Sequence, residues 1–132
     1  MSEVVKFLSD AETFYIATVD GDKPKVRPFG IAIEHENKVY FVTGNQKDVY
    51  KQLKANPNFE VSATAKDRSW IRLKGKAVFE NNLEVKKKAF EILPALSYIY
   101  KTPDSPEFEV FYISDGEASI YSFTEEPKTL KV

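Results

Sequence analysis

Two hydrophobic periods alternate along the chain. Apolar residues run unbroken through the short strand-like "KVYFVT" (Lys38–Thr43) and fall mainly at alternate positions in "TFYIATV" (Thr13–Val19), "FEVSATAK" (Phe59–Lys66) and "SWIRLKGKAVFE" (Ser69–Glu80). A period of two marks strands with one buried face. In the last segment Ile71, Leu73, Gly75, Ala77 and Phe79 share one face, and Trp70, Arg72, Lys74 and Lys76 share the other. Helical spacing appears instead in "SEVVKFLSDAET", in "GNQKDVYKQLKANP" and in "LEVKKKAFEIL". Ser2 and Asn82 stand where helix caps belong. Pro57 disfavours helix at the residue before it, which stops the middle helix near Asn56, and Pro94 ends the third.

Turn signals divide these elements. "DGDK" (Asp20–Lys23) joins the first strand to a returning strand, "KPKVRPFGIAIE", and "HEN" leads into the third. These three strands predict an antiparallel meander. Asp115-Gly116 reads as a turn between two final strands, "FEVFYIS" and "EASIYSFT", while "SYIYKTPDSPE" reads as irregular. No repeat, low-complexity tract or linker interrupts the chain, so residues 1–132 are expected to form one domain. Six or seven strands with two or three connecting helices predict a closed or partly closed antiparallel barrel. One position resists this pattern. Pro28 lies inside the returning strand, although proline lacks the N–H that a central strand needs.

Composition narrows the chemistry. The 132 residues carry a net charge of −1, so no basic field points to nucleic acid. There is no cysteine, which removes disulfides, thiolate metal sites and thiol nucleophiles. The single histidine, His35, lies in the polar "EHENK" and reads as a solvated turn residue; with one histidine, no multi-histidine metal site can form within a chain. Neither a signal peptide nor a membrane-length apolar run is evident, which predicts a cytoplasmic protein without membrane contact.

Three segments could carry chemistry. "VTGNQK" (Val42–Lys47) places Thr43, a Gly-Asn turn and Lys47 at a helix start, where unpaired N–H groups receive anions. It lacks the spacing of a P-loop. Arg27, beside Pro28, offers a planar fork for phosphate. Pairing of the returning strand with the third strand would bring Arg27 toward Thr43–Lys47. Trp70 and Arg72, on the cationic face of their strand, suit stacking on a flat ring or a subunit contact. No nucleophile elbow, zinc-protease motif or serine–histidine–aspartate set is present. Redox or transfer chemistry would then fall to a bound cofactor.

Taken in order, "FYIATVDGDKPKVRPFGIAIE", "VYFVTGNQKDVYKQLKANPNFEVS" and "WIRLKGKAVF" resemble the pyridoxamine 5′-phosphate oxidase-like, FMN-binding split-barrel proteins, above all the small nitroimidazole-resistance (Nim) relatives. The resemblance runs from Phe14 to about Phe123. It implies a mainly β fold, a six-stranded antiparallel split β-barrel with peripheral helices, working as a homodimer with FMN at the subunit interface. It implies that Arg27 and the backbone of Pro28 and Phe29 meet the flavin, that Thr43, Asn45 and Lys47 serve it with Lys47 on the phosphate, and that Trp70 and Arg72 line the cleft. Gln52, in "KQL", stands at a further matching position. It also implies an oxidoreductase acting on a small molecule not identified by the sequence, with a nicotinamide as possible reductant. The alternative is a flavin- or haem-binding module for storage or sensing. The arginine-bearing C-terminal motif of the true oxidases is missing from "TEEPKTLKV", and the histidine often found before the phosphate loop in the Nim branch is replaced in "YFVT". Neither vitamin B6 oxidation nor nitro-group reduction is therefore implied.

Overall fold

The computed structural model describes residues 2–132. It is mainly β. Six strands of seven or more residues form the barrel: β1 (Phe14–Asp20), β2 (Lys23–Phe29), β4 (Lys38–Gly44), β5 (Asn58–Thr64), β6 (Trp70–Glu80) and β7 (Phe108–Tyr121). Two short strands, β3 (Ile33–His35) and β8 (Lys128–Lys131), complete one antiparallel sheet in the order β2-β1-β5-β6-β7-β4-β3, with β8 on β7. The helices are α1 (Glu3–Ala11), α2 (Asp48–Ala55), α3 (Leu83–Ile92) and the single turn α4 (Ser97–Tyr100). None of the described helices is long and apolar enough to cross a membrane.

The returning strand of the sequence reading is two strands. β2 pairs with β1 through Arg27↔Ile16 and Phe29↔Phe14, whereas β3 pairs with β4 through Ile33↔Tyr40. Gly30–Ala32 lie outside the ladder between them. The expected pairing of the Arg27 strand with the third strand does not form. The physical reason is visible in the prolines. Pro24 and Pro28 cannot donate to a ladder, so β2 is confined to the sheet edge, where Pro28 stands opposite Tyr15. β2 and β3 are consecutive in the chain yet occupy opposite edges of the sheet, and the barrel is split between them.

Asp115-Gly116 is also not a turn. β7 runs through it, and between the pairs Lys74↔Glu117 and Lys76↔Ser114 two residues of β7 oppose Gly75 alone. The positive φ of Asp115 (53°) is absorbed in a β-bulge, so both flanking segments keep pairing with β6. The tail, for which no element was expected, supplies β8, and within the segment read as irregular "SYIY" closes into α4.

Two apolar clusters form the core. Phe14, Ile16, Phe41, Phe59, Val61, Ile71, Leu73 and Phe111 fill the barrel. Tyr40, Val85, Ala89, Phe108 and Val110 form the second, beneath α3. Neighbouring residues of β4 enter opposite clusters, which explains why "VYFV" is apolar without a break. α1 adds Val4, Val5 and Leu8 to the barrel, capped by the Ser2 hydroxyl, which accepts the Val5 N–H at 3.1 Å.

His35 corrects another expectation, for it is buried (9% exposed). Its ring meets Tyr40 at 6.1 Å, and its Nδ1 lies 2.9 Å from Lys88 Nζ on α3. Because an ammonium only donates, Nδ1 accepts and the ring proton is on Nε2, facing Glu84 (3.6 Å) and Glu36 (3.9 Å). The turn is polar at its tip, but the helix lying over it removes His35 from water.

Candidate functional site

A groove of about 820 Å³ runs between the β1–β2 hairpin and α2. Its charged lining is Lys25, Arg27, Lys47 and Lys51 against Asp20 and Asp48. This is a local cationic surplus in a chain whose net charge is −1. Alternation along β2 puts Lys25 and Arg27 on one side of the strand, and one helical turn brings Lys51 over Lys47.

Arg27 is the best-defined member. Its Nη1 donates to Thr18 Oγ1 at 2.7 Å and to the Ile16 carbonyl at 3.3 Å, and its Nη2 donates to Gln52 Oε1 at 2.7 Å. Thr18 Oγ1 in turn donates to the same Gln52 oxygen at 2.6 Å. Thr18 is 2% exposed and faces inward after Phe14 and Ile16, where the alternation calls for an apolar residue. A buried hydroxyl needs partners, and Arg27 with Gln52 supplies both. Burial pulls the Arg27 guanidinium below its ordinary pKa, and the charge of Asp48 works the other way.

α2 closes the opposite wall. It buries Val49 and Leu53 and turns Lys47, Asp48, Lys51 and Gln52 to the groove. Lys47 occupies its N-cap position and makes no side-chain cap, unlike Ser2 before α1 and Asn82 before α3. Among the described residues no side chain caps the first N–H groups of α2, an arrangement that can receive an anion. Gly44 sets the approach to this helix. A Cβ there would lie 2.5 Å from the Tyr100 hydroxyl and 2.6 Å from Gln46 Oε1, so a larger residue would displace those side-chain ends.

Of the residues singled out from the sequence, the groove gathers Arg27 and Lys47, together with Gln52. Pro28 sits outward on β2, and Phe29 packs inward with its ring 6.3 Å from Phe14. Thr43 lies on the Phe41 side of β4 and does not line the groove; it is buried, and its Oγ1 has no hydrogen-bond partner among the described residues. Asn45 ties down the loop before β7, donating through Nδ2 to the Pro106 carbonyl (2.8 Å) and to Glu109 (3.1 Å). Trp70 and Arg72 lie on the outer sheet face. Trp70 stacks on Tyr121 at 5.5 Å with rings 17° apart, and Arg72 grips Glu60 with Nε at 3.0 Å and Nη2 at 2.7 Å. That bond raises the Arg72 pKa. The same face exposes Tyr15 (50%), Val26 (68%) and Phe123 (85%).

Thr18, Lys25 and Lys51 were missed from the sequence. A hydroxyl at an inward strand position, and lysines at strand and helix spacing from Arg27 and Lys47, were the available signals.

Comparison with known proteins gives these features relatives. The family model described as pyridoxamine 5′-phosphate oxidase matches residues 1–118. No curated protein matches the chain. Among solved structures, a NimC/NimA family protein from Clostridium acetobutylicum is 40% identical, with a TM-score of 0.91 over 98% of this chain and 90% of that one. A pyridoxamine 5′-phosphate oxidase-related, FMN-binding protein from Nostoc punctiforme shares the fold at 12% identity, with a TM-score of 0.61 over 97% of this chain and 91% of that one. A haem-binding protein from Mycobacterium smegmatis shares it at 12% identity, with a TM-score of 0.74 over 99% of this chain and 58% of that one.

Proposed function

Because the chain belongs to the pyridoxamine 5′-phosphate oxidase family and is related within it to a NimC/NimA protein, we propose that it is an FMN-dependent oxidoreductase, its flavin phosphate held in the groove between the β1–β2 hairpin and α2. The observation that carries this reading is the convergence of Arg27, Lys47 and the uncapped start of α2 on one groove. A phosphate monoester carries between one and two negative charges at neutral pH, by analogy with a phosphorylated side chain. The cationic surplus of the groove matches that charge.

The chain's own residues would bind and orient the cofactor. Arg27 keeps its Nε–H and one Nη2–H, unbonded among the described residues, for phosphate oxygens, and Lys47 offers a point charge. The backbone of Pro28 and Phe29, on the unpaired edge of β2, is available to the flavin ring, and Gly30–Ala32 continue that edge outside the ladder. Bound flavin would supply the electron transfer, with a nicotinamide as reductant and a small molecule as substrate. A second copy of the chain fits the outer sheet face, where Tyr15, Val26, Trp70, Tyr121 and Phe123 present apolar surface. Histidine ligation of haem would require His35, which is held by Lys88 and Tyr40 away from the groove.

The test is Lys47→Ala, titrated with FMN and with riboflavin, which lacks the phosphate. The expected result is a loss of FMN affinity several times larger than any loss for riboflavin. Equal losses would remove Lys47 from the phosphate site.

A further inference from the structure

Among the described residues, every group bonded to the Arg27 guanidinium is uncharged. Its side-chain bonds go to Thr18 Oγ1, to Gln52 Oε1 and to the Ile16 carbonyl, at 2.7, 2.7 and 3.3 Å. A half-buried arginine more often meets a carboxylate, which holds it well but cancels its charge. Arg72, in the same protein, shows that alternative: its partner is Glu60 at 2.7 Å. Asp48 acts on Arg27 through its charge, and among the described residues no carboxylate bonds the guanidinium.

The orientation of the Gln52 amide follows from the same chemistry. A guanidinium has only donors, and the Thr18 hydroxyl, already accepting from Arg27, donates onward. Both need an acceptor at one point, and only the amide oxygen can meet them. Gln52 Nε2 is left with two donor hydrogens, and no protein acceptor is recorded for it among the described residues, although the residue lines the groove.

The geometry points to Gln52, with Thr18, as a positioning residue that fixes Arg27 in an anion-binding pose without neutralising it, and to the Gln52 amide N–H as an additional donor to the same anion. Glutamate has nearly the same shape and accepts the same two hydrogen bonds. What it changes is charge. It pairs with Arg27 and removes the donor, so this site needs glutamine for a reason that packing does not contain. This inference rests on the anion-binding reading of the groove and names the class of ligand at that point: a phosphate monoester.

The experiment compares wild type, Gln52→Glu and Gln52→Leu, each titrated with FMN, riboflavin and inorganic phosphate, alongside thermal unfolding. For Gln52→Glu the expected result is a Tm equal to or above wild type with FMN and phosphate binding weakened about tenfold or more, and riboflavin binding unchanged. Gln52→Leu should lower Tm and weaken FMN as well, because Arg27 and Thr18 lose their acceptor. If wild type prefers FMN over riboflavin and Gln52→Glu keeps that preference, the positioning inference falls while the flavin reading stands. If wild type binds phosphate but no flavin, and Gln52→Glu loses the phosphate, the flavin reading falls while the inference stands. Wild type that binds none of the three probes overturns both.

Discussion

Replacing Arg27 by methionine separates a ligand-binding arginine from a structural one. Methionine matches the arginine stem out to about Nε, so the change removes the guanidinium while keeping the apolar packing of the stem. Thr18 Oγ1 and Gln52 Oε1 remain bonded to each other at 2.6 Å, so neither is orphaned. Three hydrogen bonds are lost, the one to the Ile16 carbonyl being long at 3.3 Å; each is worth about 0.5–1.5 kcal/mol, offset in part because a charge no longer has to be kept out of water. The expected stability loss is about 1 kcal/mol. The effect on ligand should be larger. A charge-assisted bond to phosphate contributes about 1.5–3 kcal/mol, which corresponds to a factor of about 10 to 150 in the FMN dissociation constant. Riboflavin, with no phosphate, should change by less than about threefold on the same argument. The assay is flavin fluorescence titration at fixed ionic strength, with chemical denaturation in parallel. A stability loss of several kcal/mol with unchanged FMN affinity would refute the reasoning, for Arg27 would then be a strut between β1, β2 and α2.

The remaining predictions address the fold and its surfaces. Glu80 accepts from the Tyr40 hydroxyl at 2.6 Å and from the Asn82 amide at 3.0 Å; those bonds, Tyr40's first, hold its carboxyl below the ordinary glutamate pKa. A lowered folded-state value gives stability that is present above the ordinary value and lost as pH falls through the folded one. Glu80→Gln should therefore be less stable than wild type near neutral pH, and the two should converge on acidification; a gap independent of pH would contradict this. Gly75→Ala places a Cβ 2.5 Å from Ile113 Cγ1 and 2.8 Å from the Ser114 carbonyl oxygen, and should cost about 1–3 kcal/mol in denaturation; wild-type stability would be inconsistent with the bulge. Trp70→Ala removes the ring stacked on Tyr121 and should shift the proposed dimer toward monomer in sedimentation at micromolar concentration. An unchanged distribution would exclude Trp70 from a subunit contact.

Much of the barrel was legible because strand alternation is local. β1, β5 and β6 fall within a residue or two of the segments that alternation predicts, and β4 within one of the apolar run read as the third strand. The caps at Ser2 and Asn82 were legible for the same reason, being decided within one turn. The break after Phe29 was not. Phe29, Ile31 and Ile33 continue the alternation, so the pattern does not register a change of ladder partner. Arg27 and Lys47 do line one groove, but through packing of the β1–β2 hairpin against α2 and not through the strand pairing inferred from the turn at His35–Asn37. The burial of His35 depends on Lys88, 53 residues away, and the cradle of Arg27 on Thr18 and Gln52, 34 residues apart. Such partners are set by topology. Trp70 and Arg72 were correctly read as sharing an exposed face, yet the strand says nothing of Tyr121 and Glu60, which engage them.

The central claim is that the groove beside Arg27 and Lys47 receives the phosphate of a flavin. Titration of the purified wild-type protein with FMN and with riboflavin, followed by flavin absorbance and fluorescence, tests it most directly. The account predicts saturable FMN binding at least tenfold tighter than riboflavin, with the difference shrinking as salt screens the groove. A folded protein that binds the two flavins equally, or that takes up haem and leaves FMN free, would contradict it.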